Sequence, residues 1–188
     1  MGILDRLRAV RRPTLPDDAA RALGLGERER VLAWGALEGG GVAAATIEGL
    51  RVMTPRGRVV RRPWVEVDHA TWDQDSRTLV VWWVGSRQAT PLEVGEGSFL
   101  PEVVHERVRA SVVLTRELPL SGGRAVTLAL RKAVDGTLST QAVPGRGVRL
   151  DDPEVAALVA RAEAALRAEA GPVAEAGPAA GPAAGPAA

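Results

Sequence analysis

The sequence predicts an α+β fold, mostly β, on three observations. Short runs of β-branched and aromatic residues follow one another between Val31 and Val94, and again between Val112 and Val143. Glycine, proline, aspartate and serine cluster between these runs, where they tolerate or pre-set the dihedral angles of turns. A helical apolar period replaces the strand pattern in only a few places, chiefly near residues 100–111 and after Asp152. The expected architecture is an antiparallel meander or a barrel, with an internal helix and a packed C-terminal helix.

At the N-terminus, Ile3, Leu4, Leu7 and Val10 recur at helical spacing, and Arg6, Arg8, Arg11 and Arg12 take the remaining face. The pattern predicts a short basic amphipathic helix that ends at Pro13. Asp17 and Asp18 then favour a second short helix through Leu23, before the break at Gly24-Leu25-Gly26. Six strands are expected next, over 31–37, 42–47, 50–54, 59–70, 78–84 and 88–94. Gly39-Gly40-Gly41, Pro55-Arg56-Gly57 and Asp73-Gln74-Asp75-Ser76 supply turns between them.

Pro101 and Glu102 suit a first helical turn, and Leu100, Val103, Val104 and Val108 form an apolar stripe behind them. Strands resume over 112–118, 124–133 and 137–143, with Asp135-Gly136 as a hairpin turn. Asp152-Pro153-Glu154 is an N-cap signature, and the stripe Val155, Leu158, Val159, Ala162, Ala165 and Leu166 marks the last helix. Gly171-Pro172 stops it. The Gly-Pro-Ala-Ala units beyond cannot build a core, and their period of four excludes a collagen register. The predicted organisation is an N-terminal basic arm over 1–26, a single β-rich domain over 27–170 and a disordered tail over 171–188.

Composition limits the chemistry. All basic residues but Lys132 are arginine, and 24 basic against 23 acidic residues leave a formal charge of +1, so no global field draws in nucleic acid. With no cysteine there is no disulfide, thiolate nucleophile or cysteine-held metal, which fits a cytoplasmic protein. No apolar run is long enough for a signal peptide or a membrane span. In Leu79-Val80-Val81-Trp82-Trp83-Val84 both strand faces are apolar, so a second layer must cover the sheet there. The C-terminal helix is the expected cover, ahead of a homodimer.

The strand from Glu29-Arg30-Val31-Leu32-Ala33, the apolar strand ending at Thr46, the strands through Arg51-Val52-Met53 and Trp64-Val65-Glu66-Val67, and a closing helix together resemble the bacterial PH-like domain family. The resemblance covers residues 28–94 and the last helix and implies a PH-like barrel. The whole chain, with its Pro63-Trp64-Val65-Glu66-Val67-Asp68 and Ala110-Ser111-Val112-Val113-Leu114 stretches, is also similar to uncharacterised proteins of high-GC bacteria, which implies no activity. Lipid-binding PH domains grip phosphates with basic residues between their first two strands. Here that loop is Glu38-Gly39-Gly40-Gly41, a departure from the pattern.

Candidate chemistry is sparse. His69 shares the phase of Val65 and Val67 along one strand and reads as a partly buried structural residue; paired with His105 it would give a minimal acid–base or metal site. Asp73 and Asp75 alternate as calcium ligands do, but without the glycine and glutamate of an EF-hand loop they read as a hairpin turn. No glycine-rich stretch leads into a P-loop lysine, and no serine sits in a nucleophile elbow. No cofactor is expected. Arg56, Arg58, Arg61 and Arg62 crowd one hairpin, either as a solvated edge guard or as an anion patch. Arg6, Arg8, Arg11 and Arg12 make the arm an alternative contact for anionic lipid, or a strap that docks on the domain. The sequence thus favours a non-catalytic interaction or scaffold module with a protein partner. Membrane-surface binding is the alternative, and a small enzyme using His69 and His105 the second one. An oligomer is compatible with all three.

Overall fold

The computed structural model describes residues 14–86 and 88–170; the predicted N-terminal helix with Arg6, Arg8, Arg11 and Arg12, and the tail over 171–188, lie outside them. The elements, in chain order, are α1 (Asp17–Leu23), β1 (Val31–Ala36), β2 (Val42–Thr46), β3 (Gly49–Met53), β4 (Val59–Pro63), β5 (Val67–Asp73), β6 (Thr78–Trp83), β7 (Ala89–Glu93), α2 (Leu100–Ser111), β8 (Val112–Leu120), β9 (Arg124–Lys132), β10 (Leu138–Pro144) and α3 (Pro153–Glu169). The fold is α+β and mostly β, as the strand runs predict.

All pairings are antiparallel between neighbours in sequence, giving a four-stranded sheet β1-β2-β3-β4, a three-stranded sheet β5-β6-β7 and a three-stranded sheet β10-β9-β8. Among the described residues the sheets remain separate, so the meander describes them and a closed barrel does not. A single bridge between Leu37 and Val94 links the edge of the first sheet to the end of the second. The hairpin turns follow from their residues: Gly41 has φ 117°, and a Cβ there would lie 2.5 Å from the Met53 carbonyl oxygen, so only glycine fits.

One departure lies between residues 59 and 70, where a single strand is predicted. The chain instead makes a 3-10 turn at Trp64–Glu66 between β4 and β5, which carries it from the first sheet to the second. Trp64 is the reason. Its indole is buried, and its Nε1 donates to the Thr46 and Ile47 carbonyls at 3.0 and 3.1 Å, so the residue anchors a corner instead of continuing a pleat.

The first core lies between the first two sheets, with Ala43, Ala45, Leu50, Val52, Val67, Leu79 and Val81 among its members. The stripe of α2 closes it with Leu100, Val103, Val104 and Val108. β2 is buried on both faces, because α1 lays Leu23 across the outer side over Val42 and Ala44. Small residues on β2 let that helix approach the sheet closely.

The C-terminal helix does not cover the doubly apolar strand β6, as the sequence suggests it would. Val155 and Leu166 of α3 instead join Val126, Leu128 and Leu130 of β9 in a second core. The preceding hairpin presents an apolar face of its own, and the short connection after β10 brings α3 onto that nearest sheet. On β6 the outward Val80 and Trp82 stay half-buried, and Trp82 stacks on His69 with ring centroids 5.4 Å apart.

The two cores meet at a buried arginine. Arg131, 4% exposed on β9, donates from Nε to Gln141 Oε1 at 2.7 Å, from one terminal nitrogen to Ser111 Oγ at 2.9 Å, and from the other to the Asp68 carbonyl at 2.8 Å. Gln141 in turn donates to the Asp68 carboxylate. The planar guanidinium thereby ties β5, the end of α2, β9 and β10 together.

Candidate functional site

The four clustered arginines of the β3–β4 hairpin, Arg56, Arg58, Arg61 and Arg62, lie on its turn and on β4, across from a fifth, Arg51, on β3. Register places Arg61 opposite Arg51 and Arg62 opposite Leu50, so alternation sends the first two toward α1 and Arg62 toward the other face. Arg51 is neutralised by Glu29 at 2.7 Å. The Arg61 guanidinium lies against Gly24, where a Cβ would approach within 1.8 Å of it, at the C-terminal end of α1. Arg62 pairs with Glu66 and stands 5.8 Å from the centre of the Trp83 ring, within cation–π range.

Arg56 and Arg58 differ. They occupy the exposed turn that Thr54 holds by accepting the Arg58 amide at 3.2 Å, and neither side chain pairs with another group among the described residues. Exposed Val59 follows them, so the tip combines unneutralised positive charge with apolar surface. The cluster of four is therefore two exposed, unpaired residues at the tip, Arg56 and Arg58, and two strand residues, of which Arg62 is paired with Glu66 and Arg61 lies against Gly24.

The histidines are not brought together. Asp68 is bulged out of the β5–β6 ladder, so Val67 pairs with Trp83 while His69 pairs with Trp82, and His69 faces away from Val67. Its side chain is 54% exposed, more open than the partly buried structural residue expected, and its ring stacks on Trp82. Its Nδ1 lies 2.7 Å from Asp68 Oδ2. His105 is exposed on α2, and no hydrogen bond, ion pair or ring contact joins it to His69 among the described residues. No group of three or more metal-ligating side chains occurs among them either.

Asp73 accepts the Asp75 and Ser76 amides at 3.0 and 3.3 Å, which makes the acidic alternation a hairpin turn. Hydrogen bonds from the Ser76 side chain and from the Ser76 and Asp75 amides hold the Asp73 carboxyl below its ordinary pKa. At Arg131, burial lowers the guanidinium pKa from its ordinary value, and the nearby Asp68 carboxylate opposes that shift.

Sequence reasoning missed Arg131. The only signal was a lone arginine ending the run Val126-Thr127-Leu128-Ala129-Leu130, and its partners come from three distant segments.

Two larger concavities remain. One, of about 760 Å³, lies at the junction of the cores between Asp68, Trp83, Gln141 and the segment 148–151. The other, of about 790 Å³, runs between α1 and β1. No helix among the described residues is long and apolar enough to cross a membrane. Comparison with protein-family models, with curated proteins and with solved structures finds no match.

Proposed function

We propose that this chain is a non-catalytic interaction module with a PH-like body, which presents the β3–β4 turn to an acidic protein surface. The observation that carries the reading is the pair Arg56 and Arg58, exposed and unneutralised at the tip, whereas Arg62 is paired with Glu66 and Arg61 lies back along the strand against Gly24. Charges held this way steer and orient a partner of opposite sign. The PH-like part of the reading is supported by four strands, then three strands, then α2 closing the core between them. On this reading α2 is the family's closing helix, and β8–β10 with α3 form an addition. The loop after β1 has no basic residue, so a lipid headgroup is not the ligand proposed for the body.

Membrane-surface binding through Arg6, Arg8, Arg11 and Arg12 is the competing reading, favoured by the amphipathic pattern of the arm alone.

A photo-crosslinking amino acid placed at Arg56 in cells tests the proposal. It should give a discrete protein adduct that is absent when the probe sits at Ser139 and is reduced at least about tenfold by Arg58→Glu. Co-sedimentation with neutral and anionic vesicles should show no binding. No adduct at position 56, together with anionic-only, salt-sensitive sedimentation that is lost on deleting residues 1–12, would replace this reading with the membrane one.

A further inference from the structure

The groove between α1 and β1 begins where the described chain begins: Thr14 lies in its wall. Its apolar floor includes Leu25, Val31, Leu32 and Phe99, and Asp17 and Glu27 stand on its rim. Leu25 and Val31 belong to the small cluster around Leu23, Val42 and Ala44, yet both are only half-buried. Among the described residues neither Asp17 nor Glu27 forms an ion pair, whereas Glu29, also on the wall, is taken by Arg51. The groove thus combines an unfinished apolar cluster with free negative charge.

We infer that residues 3–12 of the same chain occupy this groove. The segment has the complementary character: Ile3, Leu4, Leu7 and Val10 on one helical face, and four arginines against one aspartate, a net charge of +3, on the rest. Only Pro13 separates Arg12 from the groove wall at Thr14. So short a tether holds the arm at an effective concentration in the millimolar range, and modest contacts then suffice for occupancy. A helix over these residues would be about 15 Å long at about 1.5 Å per residue, enough to lay the stripe along the floor while the arginines meet Asp17 and Glu27. The docked arm buries the apolar face that a membrane would need, so it acts as an intramolecular strap. This placement is independent of what the β3–β4 turn binds.

The absence of cysteine permits a direct test in the full-length chain. Gly26 lines the groove, and a Cβ there meets nothing within 4 Å, so Gly26→Cys fits without strain. Combined with Leu7→Cys or with Ala9→Cys, it should form an intramolecular disulfide under mild oxidation. The rate should be independent of protein concentration and at least about tenfold faster than with Ser139→Cys. Adding Leu4→Asp leaves the tether intact but removes an apolar anchor, and Asp17→Lys with Glu27→Lys removes the charge match; each should slow the reaction severalfold. Equal rates for the groove and control pairs overturn the inference. So does a fast reaction that Leu4→Asp leaves unchanged, since the tether alone would then account for proximity.

Discussion

At the scale of single residues, Arg131 is the most consequential side chain. A buried guanidinium is expensive to desolvate, and it persists here because each of its three nitrogens donates a hydrogen bond, to Gln141, Ser111 and Asp68. Removing it leaves the Gln141 amide oxygen and the Asp68 carbonyl without their donor. Arg131→Ala should therefore cost about 3–5 kcal/mol, measured from urea denaturation. Arg131→Lys should recover only part of this, because a point-like ammonium on a flexible stem cannot replace a planar fork aimed at three partners. A lysine variant as stable as the wild type would show that charge alone sustains the site.

At the scale of elements, α3 has both the clearest origin and the least expected position. Asp152 accepts the Glu154 and Val155 amides at 2.9 and 3.5 Å, satisfying donors that the first helical turn leaves open, and Pro153 gives up no hydrogen bond there. Asp152→Ala should cost about 1 kcal/mol in urea denaturation, whereas Asp152→Ser should be nearly neutral. This cap was legible because it depends on neighbours within three residues. The strand runs and the α2 stripe were legible for the same reason, since period and turn chemistry are local. The docking of α3 was not: its stripe would fit any apolar sheet face, and the choice between β6 and β9 follows from the path of the chain. Trp64 escaped a strand pattern for a related reason, since the carbonyls that capture its indole lie back at Thr46 and Ile47. At the candidate site, alternation along β4 implied that its arginines divide between faces. That Arg62 is engaged by Glu66 and Trp83, while Arg61 lies against Gly24, depends on residues brought near in space.

At the scale of the whole molecule, the two larger apolar cores share one chain and meet across a polar junction. The first contains 17 buried hydrophobic residues and the second 5, so the unit of β8–β10 and α3 has the smaller independent stability. The Arg131 network couples them, because it joins β9 and β10 of the small unit to Asp68 and Ser111 of the large one. All five tryptophans, at 34, 64, 72, 82 and 83, lie in the large unit, so intrinsic fluorescence reports chiefly on that unit, although Trp64 and Trp83 also line concavities shared with the small one. Far-UV circular dichroism also registers α3 and β8–β10. In the wild-type chain the two signals should change together along a urea titration, as in a single cooperative transition. In Arg131→Ala the coupling is lost and the transitions should separate, with ellipticity falling at lower urea than fluorescence as the small unit opens first. Coincident transitions in that variant would mean that apolar packing between α2 and β8, not the buried arginine, binds the two units into one.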